Sequence, residues 1–548
     1  MAPRPGTMSR AAARFALTVL LLPGALVAQG VGDCPEEARS ALSGARADFE
    51  AGEPERAEAR LVETLERCPG ESALELELAG LRFQLGDYAG AEAWALRHLR
   101  AEPGSVEGWD LLAASRYLQD DREGALDAWS RGTPPIIANL GIDIGPAGLR
   151  PGPAGTERIE AEAGLAPGRP LLPGSLTLGM RRLESIPAAD RAQLRYAIIG
   201  GGEAAVMGSV LLAHRRPVRS AEIPAHVLRA LTGSVFVESS NPAGALERWT
   251  LRGGVEGTSR DLALDLAHPA PLGPGVWRWS AEHHRARYLL PDSPDDAVPV
   301  ERSAIGLELS EWVGAAWHAA VGAGIERRPG WGDFAGTRIG LRFLSGGSRI
   351  LAEVEGSTWT RVGSPSEIRT GERLSSGFSR WGINTGFQSR APDRVTPPAG
   401  IVLRGGVTGI TANAPPDLAP RIGSGRNVDI LLRARSDLEG DGALRGWPAR
   451  VWVHAGAEWL RPIGAIGPIE TSGALFADAV HGFGGRSGGS EFSSPVSRAV
   501  HLGVGLRFSP LGAVGALRVD GALDPATGAT RLSIGWAPQL RTGSASSD

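Results

Sequence analysis

The residues of this 548-residue chain best suited to chemistry are few, and each group meets a physical obstacle to acting as a site. His283 and His284 are adjacent in "SAEHHRARY". Side chains alternate along a strand, so the two imidazoles face opposite ways and make a poor joint metal site. Asp292, Asp295 and Asp296 offer the oxygen ligands that calcium takes, but a solvated loop is the better account of them. Gly200-Gly201-Gly202 is not followed by a helix and reads as a hairpin turn, not a phosphate loop. The chain carries no nucleophile elbow, Walker loop or zinc spacing. The expectation is therefore no catalytic residue, no metal, no cofactor and no enzyme.

Composition narrows the class further. Hydrophobic residues make up 42%, and after the first 28 residues no apolar run approaches ~18 residues without a charge, so no helical membrane span is expected. All 57 basic residues are arginine, and the net charge of −4 leaves no basic stripe for nucleic acid. Residues 1–28 read as an export signal: Arg4, Arg10 and Arg14, then "FALTVLLLPGALVA" ending at the small Ala28. Its removal takes three arginines and no acids, moving the formal charge from −4 to −7.

Residues 34–133 repeat with a period of 34. Ala45, Ala79 and Ala113 coincide, as do Gly52, Gly86 and Asp120, then Ala57, Ala91 and Ala125. Small residues sit where two helices touch, and Pro69 and Pro103 end the second helix of each unit. "LAGLRFQLGDYAGAEAWALRHLRAEPG" resembles the tetratricopeptide repeat, which implies about three helix pairs and a concave groove for a polypeptide. A plain spacer of helix hairpins is the alternative. Cys34 lies before the first helix and Cys68 at the end of the second. Antiparallel helices bring those ends together, and an exported chain meets oxidising conditions, so a disulfide is predicted; two free thiols is the alternative.

Over 135–216 the pattern predicts strand, two helices and two strands: "IIANLGIDIG", "GTERIEAEAGL", "PGSLTLGMRRLESI", "AQLRYAII" and "EAAVMGSVLLAHRR". That order, with the "RRL..IP" step, resembles a POTRA (polypeptide-transport-associated) domain, as against a generic α+β domain. The resemblance implies a periplasmic domain with a strand edge open to an extended peptide.

From 222 to 537 only strands are expected, with a polar tail over 538–548. Trp317, Ala319, Val321, Ala323 and Ile325 alternate with His318, Ala320, Gly322, Gly324 and Glu326. Val500, Leu502, Val504 and Leu506 oppose His501, Gly503, Gly505 and Arg507, and Val428, Ile430 and Leu432 oppose Asp429 and Arg433. "LLPDSPDDAVPV" and "TANAPPDLAPRIGSGRN" are expected to lie outside strand interiors. Such alternation suits a soluble β-sandwich with the apolar face inside, or a membrane barrel with it outside. Charged residues recur on one face over many segments, and short and long connections alternate near the C-terminus. Both favour an antiparallel transmembrane barrel of about sixteen strands.

"LRGWPARVWVHAGAEWLRPI", "ALFADAVHGF", "HLGVGLRFSPLGAVGALRVDGALDP" and "TRLSIGWAP" resemble the surface-antigen (BamA-type) barrels and two-partner-secretion transporters. In that superfamily an Arg-Gly-aromatic motif on an inward-folded loop meets a Phe-x-Asp-x-Gly motif in the wall. The matching positions are Arg445, Gly446 and Trp447, then Phe476 and Asp478, with Val480 where the family has Gly. The resemblance implies an outer-membrane protein with its N-terminal domains in the periplasm. It would translocate or insert an unfolded or extended polypeptide client. Outer-membrane lipid and other envelope assembly proteins would be its further partners. The alternative is a channel for small solutes anchored by its periplasmic domains.

Overall fold

The computed structural model describes residues 34–145, 153–200, 202–213, 227, 230, 233–290, 293–345, 349–362, 376–389, 399–411, 414–424, 429–435, 438, 443–445, 449–467, 469–484, 495–510 and 516–537. The export signal, Gly446, Trp447 and the tail lie outside the described residues. The chain divides into two compact units after Thr133.

The first unit holds three antiparallel helix pairs: α1 (Cys34–Glu50) with α2 (Pro54–Arg67), α3 (Ser72–Gln84) with α4 (Tyr88–Ala101), and α5 (Val106–Leu118) with α6 (Arg122–Trp129). The 34-residue period is a packing period. Ala45, Ala79, Ala113, Ala57, Ala91 and Ala125 are all buried where helices meet. The turn inside each pair needs a left-handed residue; Gly52 and Gly86 supply it with φ of 81° and 79°, and Asp120 with 64°. Asp87, Ser105 and Asp121 each accept a hydrogen bond from the backbone N–H three residues on, capping α4, α5 and α6. The Cys34 and Cys68 sulfurs are bonded, with their Cα atoms 5.6 Å apart.

The second unit begins with a small α+β domain: β1 (Ile136–Gly145), α7 (Pro153–Ala163), α8 (Pro173–Ser185), β2 (Ala189–Gly200) and β3 (Glu203–Leu212). Its sheet runs β1-β3-β2, with β1 parallel and β2 antiparallel to β3. Ile159 and Leu183 of the helices are buried, as are Leu194, Val206 and Val210 of the strands.

The rest of the unit is one large antiparallel sheet. Its strands are β4 (Ser234–Ser240), β5 (Arg248–Glu256), β6 (Ser259–Pro269), β7 (Val276–Leu290), β8 (Ser293–Trp312), β9 (Trp317–Arg328), β10 (Gly332–Leu344), β11 (Ile350–Val362), β12 (Gly377–Gln388) and β13 (Gly400–Ile410). After an insertion carrying β14 (Ile422–Gly423), β15 (Ile430–Leu431) and β16 (Leu444–Arg445), it resumes with β17 (Val451–Ile466), β18 (Ile469–Phe483), β19 (Pro495–Pro510), β20 (Ala516–Leu523) and β21 (Thr530–Ala537). Among the described residues fifteen strands lie in one continuous path from β4 to β21, and β16 pairs parallel to the end of β7, beyond the reach of β6.

Among the described residues the path holds fifteen strands, against about sixteen expected. Of the segment 428–433, expected as a wall strand, the described residues 429–433 belong to the insertion: Ile430 and Leu432 are buried there among Ile422, Trp452 and Val480. The first described wall strand starts at Ser234. The proline-rich stretch expected as a connection is strand from Ser293 onward. Its prolines are tolerated because β9 pairs only from Ser303, leaving residues 293–302 with β7 as their described neighbour. That makes the stretch an edge, where a missing N–H costs no ladder bond.

Two observations show that the sheet curls into a barrel. Arg421 bonds Glu256 on β5, and the Ser424 carbonyl, three residues on, accepts from Arg518 on β20. Those strands are twelve places apart in the path, or about 58 Å in a flat sheet at ~4.8 Å per strand. Three residues span only about 11 Å. The faces are also inverted relative to a soluble sandwich. Val321, Ile325, Ile339, Val354, Val504 and Ile534 are exposed on the outside, while Glu326, Arg328, Glu458, Asp478, Arg507 and Asp520 are buried inside.

Candidate functional site: an insertion held by buried charge

The connection between β13 and β17, residues 411–450, folds into the barrel and is fastened to its wall at several points. The densest fastening surrounds Arg433, which is 1% exposed. Its Nη2 donates to Glu458 Oε2 at 2.8 Å, and its Nε lies 3.4 Å from Asp478 Oδ2 and 3.7 Å from Asp520 Oδ2. Its guanidinium sits 3.8 Å above the centre of the Phe476 ring. Wall arginines complete the cluster. Arg507 donates to Glu458 at 2.7 Å and to Asp520 at 2.6 Å, Arg518 donates to Asp520 at 2.7 Å, and Arg404 donates to Glu458 at 3.1 Å. Asp520 is 0% exposed. Buried charges of this density persist only when each is paired and hydrogen-bonded.

Strand register explains why these side chains meet. Glu458 pairs with Phe476 and Gly456 with Asp478 across β17 and β18; Asp478 pairs with His501, and Gly505 with Asp520, across the next two seams. With alternation of period two, all project to the same inner face. Glycines among them make the room. A Cβ on Gly505 would overlap the Asp520 carboxylate, and one on Gly503 would lie 2.5 Å from the Phe476 ring. Beside Arg433, the Ala434 N–H donates to His501 Nδ1 at 2.9 Å.

Other fastenings reach the opposite walls. Asp417, on the 3-10 turn Pro416–Leu418, accepts from Arg328 of β9 at 2.5 Å, and Arg328 also donates to Glu326 at 2.6 Å. Arg421 donates to Glu256 of β5 at 2.7 Å, and Arg380 of β12 donates to Asp429 at 2.9 Å. β14 and β15 pair with each other, and Leu444 and Arg445 pair with Tyr288 and Leu289 of β7.

The structure brings Phe476 and Asp478 together, and among the described side chains the insertion arginine that meets them is Arg433. The Arg445 backbone lies against β7, eight places from β18 along the wall. Its side chain, Gly446 and Trp447 lie outside the described residues. Arg433 went unselected in the sequence because "DILLRARS" alternates like a wall strand. A usable signal was there: a buried-type run, Ile430 to Leu432, ends on an arginine inside a proline- and glycine-rich connection. His283 and His284 do not share a site: His283 is exposed beside Ser303 at 3.0 Å, and His284 turns toward Tyr288. Among the described residues no group of His, Cys, Asp and Glu is arranged to hold a metal.

The α+β domain is fastened to turns of the barrel at the end opposite the insertion's entry. Glu162 accepts from the Gly275 N–H at 3.1 Å, and Arg158 bridges Glu162 at 2.8 Å and the Gly273 carbonyl at 2.7 Å. Arg181 stacks 4.8 Å from the Trp312 ring, Arg182 pairs with Glu311, and the Ala188 N–H donates to Leu246 O at 3.1 Å. Burial pushes the Glu162 carboxyl above its ordinary range, against the pull of the Gly275 N–H and Arg158.

Residues 48–114 match the family model for the tetratricopeptide repeat. The helical unit is a tetratricopeptide-repeat unit. No curated protein matches the chain in sequence. Among solved structures, the chain is similar to BamA from Haemophilus ducreyi lacking POTRA domains 1–3, at 11% identity and a TM-score of 0.42, covering 73% of this chain and 83% of that one. Similarity to the globular C-terminal domain of P. aeruginosa LpoP is at 29% identity and a TM-score of 0.17, over 17% of this chain and 93% of that one. The first tetratricopeptide repeat of Spaghetti (RPAP3), solved with an HSP90 peptide, is similar at 18% identity and a TM-score of 0.17, over 18% and 76%.

Proposed function

We propose that this chain is an outer-membrane β-barrel protein that captures a polypeptide client in the periplasm and translocates or inserts it. The observation that carries the membrane reading is the inverted sheet. An outer face that exposes Val, Leu, Ile and Trp on strand after strand is unsuited to water and suited to lipid. Trp249 and Trp279 stand level on that face, on either side of Leu266, as interfacial aromatics do. The repeat unit and the POTRA-like domain supply the client-binding side, a helical groove and a sheet edge. No catalytic group is called on, because client folding or partitioning into lipid supplies the driving force.

A solute channel shares the charged lumen, but it has no use for peptide-binding modules, and here the lumen is crossed by an insertion fastened to many strands. The test is quantitative proteomics of outer membrane, cell surface and medium after depletion of the protein. Loss of one or two surface or secreted proteins marks a dedicated transporter, and broad loss of barrels marks an assembly factor. An unchanged inventory in otherwise affected cells overturns the proposal.

A further inference from the structure

Over β5 to β10 the outer face of the wall ends differently at its two rims. At the rim where the α+β domain docks, the outward residues are aromatic: Trp249, Trp279 and Trp317 are exposed, and Trp317 packs on Phe343 with ring centres 5.0 Å apart. At the far rim, beyond the apolar belt, β6, β7 and β9 carry arginine. On β6 the exposed Leu264 and Leu262 lead to Arg260, on β7 Trp279 and Ala281 lead to His283, Arg285 and Arg287, and on β9 Val321 and Ile325 lead to Arg327. Alternation with period two keeps each series on one face. Register gathers the arginines into one patch. Arg260 pairs with Arg285 across β6 and β7, Arg285 with Glu301 across the next seam, and Ser303, opposite His283, pairs with Arg327. Two arginines directly opposite, with Cβ atoms about 5 Å apart, repel each other. Among the described residues neither the Arg260 nor the Arg285 side chain has an ion-pair or hydrogen-bond partner. Four arginines against the carboxylates of Glu301 and Asp333 leave a formal +2 among the described side chains. The Arg327–Asp333 pair is loose, at 4.0 Å with side chains 79% and 66% exposed, so that arginine is open to a stronger acceptor.

We propose that this rim binds a phosphorylated lipid of the leaflet it faces, with Arg260 and Arg285 clasping one phosphate between them. A phosphate offers several acceptor oxygens, each guanidinium donates two parallel N–H bonds, and an anion held between the two turns their repulsion into attraction. The position suits a headgroup: the arginine stems lie along the apolar belt while the charged ends reach the level of the lipid phosphates. Each basic residue beside an anionic headgroup strengthens binding about fivefold. The far rim offers the aromatic residues of an interface but no such patch, and its acid Glu311 is taken up by Arg182 of α8. The proposal rests on the outer-membrane reading, which makes this leaflet the outer one. It is tested on purified protein without a client, so its failure and that of the transport proposal are separable.

The experiment is native mass spectrometry of the folded full chain in a non-ionic detergent, titrated with diphosphoryl lipid A. Arg260→Ala combined with Arg285→Ala should weaken retention about 25-fold, fivefold for each arginine. Arg461→Ala, which removes an exposed arginine near the docked end of β17, should leave it unchanged. The same lipid stripped of its phosphates should bind the parent as weakly as the intact lipid binds the double variant, and millimolar inorganic phosphate should not displace the intact lipid. Should the double variant fail to fold, Arg260→Gln alone gives the reading, with a loss of about fivefold. Unchanged affinity in a variant that keeps heat-modifiable mobility overturns the proposal, as does an equal loss in Arg461→Ala. Displacement by inorganic phosphate overturns it in favour of a free-phosphate site. A parent that shows heat-modifiable mobility without preferring the phosphorylated lipid loses this proposal and keeps the barrel reading.

Discussion

Replacing Arg433 by alanine tests whether one buried arginine holds the insertion in the barrel. Its removal acts unequally on its neighbours. Glu458 keeps Arg507 at 2.7 Å and Arg404 at 3.1 Å, and Asp520 keeps Arg507 and Arg518. Asp478 loses the cation that lies 3.4 Å away, its partner among the described ion pairs, and is 3% exposed. Breaking a buried pair from one side costs about 3–5 kcal/mol. With one carboxylate stranded and two still held, the low end applies, about 3 kcal/mol, and the population of released insertion should rise about 10²-fold. Limited proteolysis of the full chain in detergent reads that population when closing outpaces cleavage. Nicking within 411–450 should quicken by that factor in Arg433→Ala. Asp478→Asn in the same background should add little, because the charge that was stranded is gone. Less than about threefold acceleration, or full additivity of the two changes, would refute the reasoning.

Further outcomes concern the rest of the chain. Gly505→Ala places a methyl group into the Asp520 carboxylate and should lower the folded fraction in heat-modifiability assays, whereas alanine at exposed Gly104 should not. Leu78→Ala removes a fully buried side chain between helix pairs and should cost about 2–5 kcal/mol, read as lost amide-exchange protection in α1 to α4. Two acids outside the sheet should titrate in opposite senses. The Asp87 carboxyl is held below its ordinary value by the Gly90 N–H and then by Arg82, so the protection it gives α4 is present above pH ~4 and lost as pH falls through its lowered value. Glu162 is raised by burial, so its contribution to docking is full below its ordinary value and lost as pH rises through the raised one. The protection factor of the 270–275 turn, corrected for the intrinsic rise of exchange with pH, should therefore fall as pH rises through the raised value, and Glu162→Gln should abolish that fall.

Some of this was legible in the sequence because it is local. A 34-residue period of small side chains and left-handed turn residues can be satisfied only by stacked helix pairs, and the cysteines fall where such pairs bring their ends together. Period-two alternation over hundreds of residues declares strands, and the charges on one of their faces already favoured a barrel over a sandwich. The α+β domain's element order was equally readable, since each element is bounded by its own Pro, Gly and charge pattern.

What only the tertiary structure decided is which distant residues share a space. Residues 428–433 carry the local pattern of a wall strand, yet 429–433 lie inside the barrel, because Ile430 and Leu432 find an apolar pocket with Trp452 and Arg433 finds three carboxylates from β17, β18 and β20. Alternation cannot tell an inward-folded segment from the wall it touches, so Arg433 as a partner of Asp478 could not be read from the sequence. The prolines of β8 were misread for a similar reason: whether a missing N–H matters depends on whether a neighbour lies alongside, and β9 ends short of them. Local sequence sets each element's period and therefore its type. Closure of the sheet, and the depth to which a forty-residue connection enters it, set which charges become buried together.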